Sequence, residues 1–257
     1  METLVLKLVA TPVLIGGATL AGRRWGQQVG GWLVGLPLTS GPVAVFLTLE
    51  RGADFAAGAA LGSLEGLAAE AAFCLGYGWC ARFVGWPRSF LMGSFAFALA
   101  GSAFHAMALP PLRLLASVLI VLVAALRLMP RWSGTPATAV PPAWDLPARM
   151  VAATSLVVAL TMAAPLLGPR LSGLLATFPL FASVLAVFAH ATQDRIAAVA
   201  VLRGLLLGLF SFAAFFAALE WALPRFGAGA GFAAATAAAL IVQGATLLLM
   251  RQKLAQA

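Results

Sequence analysis

Charge is what this chain has least of. Only 9% of its 257 residues are charged, eight acidic and sixteen basic, against about 25% in a soluble domain. So few ionic groups cannot solvate the surface of a water-soluble globule of this size, and lipid is the outer solvent they imply. A hydrophobic share of 62% and a mean hydropathy of +1.00 point the same way. Cysteine is scarce as well. Cys74 and Cys80 share one apolar segment and match neither a zinc nor a CxxC spacing, so they read as small packing residues. The two histidines, His105 and His190, sit at opposite segment ends with no carboxylate or cysteine at ligand spacing. No metal site is expected.

Catalytic signatures are missing too. There is no nucleophile elbow, HExxH, Walker loop or GxGxxG leading into a helix. No cofactor is called for, and an enzyme has no positive support. The N-terminus lacks a basic n-region and a small-residue cleavage site, so the first apolar stretch is expected to persist as a helix.

What is present is a set of long apolar runs. The net charge is +8, yet the basic residues are scattered singly between those runs. That pattern excludes a nucleic-acid docking face and suits anionic headgroups and topology control. A bilayer core about 30 Å thick takes roughly 20 helical residues. Nine segments approach that length, near 3–21, 29–49, 55–82, 87–107, 112–129, 149–167, 171–191, 196–223 and 228–250. The stretch 130–148, rich in proline and small residues, reads as a loop. Tryptophans at segment ends form the interfacial belt.

The chain also aligns with itself without gaps at an offset of 142 residues. Of the 61 positions from 7 to 67, 18 are identical to their partners, and Gly26/Gly168, Gly31/Gly173 and Pro37/Pro179 carry more weight than the apolar matches. Segments one to four thus pair with six to nine, leaving segment five alone. A spanning fifth segment would send the second unit in upside down, the inverted-repeat design of many secondary transporters. The expected architecture is an all-helical bundle of about nine transmembrane helices. A first repeat occupies 1–110, a linking helix and loop 111–148, and an inverted repeat 149–257. Ten basic residues on one set of loops against five on the other favour the N-terminus outside and the C-terminus inside.

Chemistry is sought where the apolar runs are interrupted. Segments two and seven each carry a central proline, Pro37 and Pro179, which removes a backbone hydrogen bond that must be met by neighbours or a cavity. Pro37, Thr39, Ser40, Pro42, Pro179 and Ser183 are the substrate-binding candidates, because matched broken helices mark transporter sites. Glu65 and Glu70 lie near the middle of segment three, and Arg203 lies about two turns into segment eight. Glu70 and Arg203 are expected to form a structural ion pair. Glu65, left unpaired near mid-membrane, is the proton-coupling candidate. Gly58, Gly62 and Gly66 with Gly204 and Gly208 would let segments three and eight cross closely.

The second unit carries a more specific pattern. SGLLATFPLFASVLAVFAH followed by LRGLLLGLFSFAAFF, through Gly173, Phe178, Pro179, Phe181, Ala189, His190, Gly208, Ser211 and Phe212, resembles the GlpM-like family of small four-helix bacterial inner-membrane proteins. An echo at 31–67 keeps Gly31, Pro37, Phe46 and Gly66, lacks the Phe-Pro pair and has Thr48 in place of the histidine. The resemblance implies a fused tandem duplication in the bacterial inner membrane, with the antiparallel arrangement of two copies fixed covalently. It implies little about substrate beyond a link to envelope polysaccharide. The function these features favour is a secondary transporter or exporter of a small solute, with proton coupling as an option. A scaffold for envelope polysaccharide assembly and an intramembrane lipid-processing enzyme are the alternatives. The lipid bilayer is the one partner implied.

Overall fold

A computed structural model describes residues 2–38, 40–131 and 141–255, without the side chains of 2–7, 160, 161, 163–176 and 251–255. The described residues form helices only: α1 (Glu2–Trp25), α2 (Gln27–Val34), α3 (Ser40–Arg51), α4 (Ala53–Cys80), α5 (Trp86–Met107), α6 (Pro111–Leu128), α7 (Asp145–Ala176), α8 (Leu180–Thr192) and α9 (Arg195–Ala255). Four of them, α4, α5, α6 and α9, are long and apolar enough to cross a membrane.

The number of helices matches the number of apolar segments, but the boundaries differ. Segments two and seven are not single helices. The chain leaves helical geometry after Val34 and resumes at Ser40, and again between Ala176 and Leu180. Proline is the cause in both cases, since it withdraws an N–H and crowds the preceding turn. Segments eight and nine run together as α9, which turns at Gly227 through φ 76°, a conformation open to glycine. A Cβ on Gly231 would lie 2.9 Å from the Cα of Leu223, so the two arms of α9 fold back side by side.

The breaks keep the offset seen in the sequence. Ala53 and Arg195, which open α4 and α9, are 142 residues apart. So are Val34 and Ala176, which end α2 and α7, and Gly85 and Gly227, which precede α5 and the second arm of α9. Contacts repeat as well. Gly35 packs on Gly208, where a Cβ would lie 2.6 Å from the opposing Cα, and Gly66 packs on Thr177. At the same offset Gly35 corresponds to Thr177 and Gly66 to Gly208.

Matched helices run antiparallel. Arg23 at the end of α1 bonds Asp145 at the start of α7, and Arg195 at the start of α9 reaches the carbonyl of Arg82 just after α4.

The core lies where α4, α6 and α9 meet. The α6 stripe Leu114, Val118, Leu122 and Ala125 is buried, at the spacing of one helix face, against α4 and α9. Leu112, Ile120 and Leu128 on its other side are exposed. The α4–α5 hairpin closes through small residues: a Cβ on Gly93 would meet the Phe73 ring at 3.0 Å. Glycines also bring α2 against the first arm of α9. A Cβ on Gly31 would overlap the carbonyl of Val201, and one on Gly204 the carbonyl of Gln28. Gly58 and Gly62, expected at the α4–α9 crossing, face open space instead. Of the α4 glycines in that stripe, only Gly66 makes a close approach.

Candidate functional site

The two proline breaks are the places where backbone polarity must be met from outside a helix, and the structure treats them differently. At the second break, the Phe178 ring inserts among Phe73, Phe90 and Phe97, with centroids at 5.7, 6.1 and 5.3 Å and near-perpendicular planes, the geometry ring quadrupoles favour. Pro179 is buried behind it. Ser183, also buried, donates its hydroxyl to the carbonyl of Leu180 at 2.8 Å, so it has no proton to offer a solute. The described side chains at this break pack against one another.

At the first break Leu36 stands at the position matched to Phe178. There, Val13, Leu14, Gly17, Ala18, Leu33, Val34, Leu36, Leu38 and Phe181 line a cavity of about 170 Å³, slightly larger than the ~150 Å³ apolar cavity that admits benzene. Val13 at 67% and Leu38 at 47% exposure mark its mouth on the outside of the bundle. The lining flanks Pro37 on both sides, and its described side chains are all apolar. None of the described binding candidates is among those that line it. Pro37 and Ser40 are half-buried, Pro42 is exposed on α3, and Pro179 and Ser183 are buried at the second break. Thr39 lies outside the described residues.

The ionisable residues also sit differently from expectation. Oε2 of Glu65 lies 3.0 Å from Nδ1 of His105, a contact between α4 and the last turn of α5. Glu65 is thus not unpaired, because α5 ends beside it and supplies His105. The Glu70–Arg203 pair does not form. Arg203 donates Nη2 to the carbonyl of Met129 at 3.0 Å and ties α9 to the end of α6, while Glu70 is buried on α4 with no ion pair among the described residues.

Sequence reasoning missed two arrangements. Tyr77, fully buried, has its hydroxyl 3.2 Å from Nδ1 of His190, linking α4 to α8. The second is an ionic cluster in which a buried Asp145–Arg149 pair is joined by Arg23 at its exposed edge. Oδ2 of Asp145 accepts from Nε of Arg149 at 2.9 Å and from Nη2 of Arg23 at 2.8 Å. Asp145 and Arg149 are 0% and 1% exposed, and the Arg149 guanidinium lies 5.3 Å from the centre of the Phe188 ring. The spacing of Asp145 and Arg149, one helical turn, was legible as an ion pair. That α1 would bring Arg23 to the same carboxylate was not.

No protein-family model, curated protein or solved structure matches the chain.

Proposed function

We propose that this chain is a multi-pass membrane protein of two inverted four-helix units, which carries a small solute with a substantial apolar part. The observation that carries the reading is the pair of broken helices at matched positions, one bordering an apolar cavity and the other packing Phe178 among aromatic rings. Inverted-repeat carriers place their site at discontinuous helices and work by moving one half against the other. Two matched hinges in different states fit such a cycle. The recurring offset of the helix boundaries and the antiparallel α1–α7 and α4–α9 contacts support the inversion. The basic loops favour the C-terminal side as cytoplasmic. The resemblance to the GlpM-like family supports a bacterial inner membrane. The cavity lining restricts the solute, since an apolar wall gives a fully polar one no hydrogen bonds for those it loses on leaving water.

Reconstitution tests this. Proteoliposomes holding the wild-type chain should release trapped anilinonaphthalene sulfonate, an aromatic anion, faster than protein-free liposomes. Leu36→Trp, which fills the cavity, should abolish the difference while the protein still folds. Release equal to that of protein-free liposomes, from wild-type protein of native helix content, would reject the proposal.

A further inference from the structure

The cavity at the first break opens sideways, and its height along the bundle decides what it opens to. Its mouth is at Val13 and Leu38. The last turn of α1 holds Arg23, Arg24 and the exposed Trp25, residue types that settle at bilayer headgroups. Just beyond, Gln27 bonds Gln193 at 3.3 Å. That places the end of α1 level with the start of α9, one of the four helices long and apolar enough to span. Val13 precedes Trp25 by 12 residues, about 18 Å along a helix. The midplane of a hydrocarbon core about 30 Å thick lies about 15 Å from either face. The mouth is therefore near the depth where the acyl chains of the two leaflets end.

The rim has matching chemistry. From Leu8 to Gly22 α1 carries no charged residue, and neither does α3 from Ser40 to Leu49. Val9, Val13 and Leu20 make an exposed apolar stripe along α1, and Val43, Val45 and Leu49 are exposed on α3. Water is absent from that depth of a bilayer, so lipid chains cover such a surface. Behind the rim, Leu33, Val34 and Leu36 are half-buried and present alkyl groups. An alkyl chain gives up no hydrogen bond on entering, and it supplies the contacts that an empty wall lacks. The volume of about 170 Å³ exceeds the ~150 Å³ that admits benzene, so it holds about six carbons of a chain.

We propose that the cavity beside Pro37 is a lateral opening into the bilayer and holds the methyl end of a phospholipid acyl chain. The inference rests on the multi-pass membrane reading but not on transport.

Phosphatidylcholine with a photoactivatable diazirine at the methyl end of one acyl chain is the probe. The purified full-length protein is reconstituted in vesicles containing it and irradiated, and adducts are mapped by mass spectrometry. Phe95 and Leu99, exposed near the middle of α5, report ordinary contact with the bilayer. Leu33 and Val34, inside the cavity, should carry adducts as well. Leu36→Trp fills the space and should remove the Leu33 and Val34 adducts while leaving those on α5. Val13→Trp, on the exposed rim, should do the same from outside without disturbing the core. Adducts on α5 alone in the wild type, the result if a second copy of the chain covers the mouth, overturn the proposal and leave the membrane reading intact. Labelling of Leu33 and Val34 that survives both substitutions overturns it too. Absence of adducts on α5 rejects the membrane reading, and the proposal with it.

Discussion

Replacing Gly31 by alanine adds a single methyl group where α2 crosses the first arm of α9. That methyl carbon would overlap the carbonyl oxygen of Val201 and lie 2.7 Å from its carbon and 3.0 Å from the nitrogen of Leu205. All three are backbone atoms, so no side chain can swing aside. The helices must separate by about 1 Å or more, and forced overpacking of this kind costs about 1–3 kcal/mol. Gly204 makes the reciprocal contact with Gln28, so Gly204→Ala strains the same crossing. The double variant should lose less than the sum, because one separation relieves both clashes. For a chain of this length the single change corresponds to a fall of about 2–12 °C in melting temperature, read by circular dichroism in detergent. Gly62→Ala is the control. It faces open space on a continuous helix, where alanine is favoured over glycine by about 0.5–1 kcal/mol. Equal melting temperatures for Gly31→Ala and wild type would refute the reasoning, and so would a Gly62→Ala protein destabilised as much as Gly31→Ala.

Other predictions concern charges and topology. Asp145→Asn strips the shared carboxylate from two guanidinium groups and should destabilise the fold by about 3–5 kcal/mol, measured as the denaturant midpoint; an unchanged midpoint contradicts the burial of the cluster. Glu65→Gln removes a partly exposed pairing with His105, within the range of about 0–1 kcal/mol for such pairs, and should leave melting and flux near wild type. A large loss of flux would restore Glu65 as a coupling residue. Single cysteines at Trp25 and Gly168, in a background with Cys74 and Cys80 replaced by alanine, should label from opposite sides of sealed vesicles. Labelling of both from one side contradicts the inversion.

Where helices begin and stop was largely legible, because proline and glycine act locally. Pro37 and Pro179 interrupt the chain where expected, and Gly227 separates the last two segments by its own backbone freedom. The α6 helix also appears where an apolar run stands alone. Side-chain partners were less legible, since they depend on which helix ends come together. Glu65 was assigned a depth from its own helix, but α5 stops next to it and supplies His105. Arg203 was matched to Glu70 by charge, whereas the end of α6 presents the nearer carbonyl of Met129. The binding candidates were chosen as polar residues at a break, and the space there is bounded by their apolar neighbours. At matched positions, Leu36 borders a pocket whereas Phe178 packs among aromatic rings.

Trp32 gives the molecule a fixed point. Its indole N–H donates to the hydroxyl of Thr246 at 3.0 Å, and its carbonyl accepts from the side-chain amide of Gln243 at 3.3 Å. On the other side, Gly204 and Gly208 press α2 against the first arm of α9. The short α2 is thus clamped between both arms of a folded hairpin. Beyond Pro37, α3 buries only Gly41 and Ala44. Any opening at Pro37 therefore swings α3, while Leu33 and Val34 on the clamped α2 hold one wall of the cavity in place.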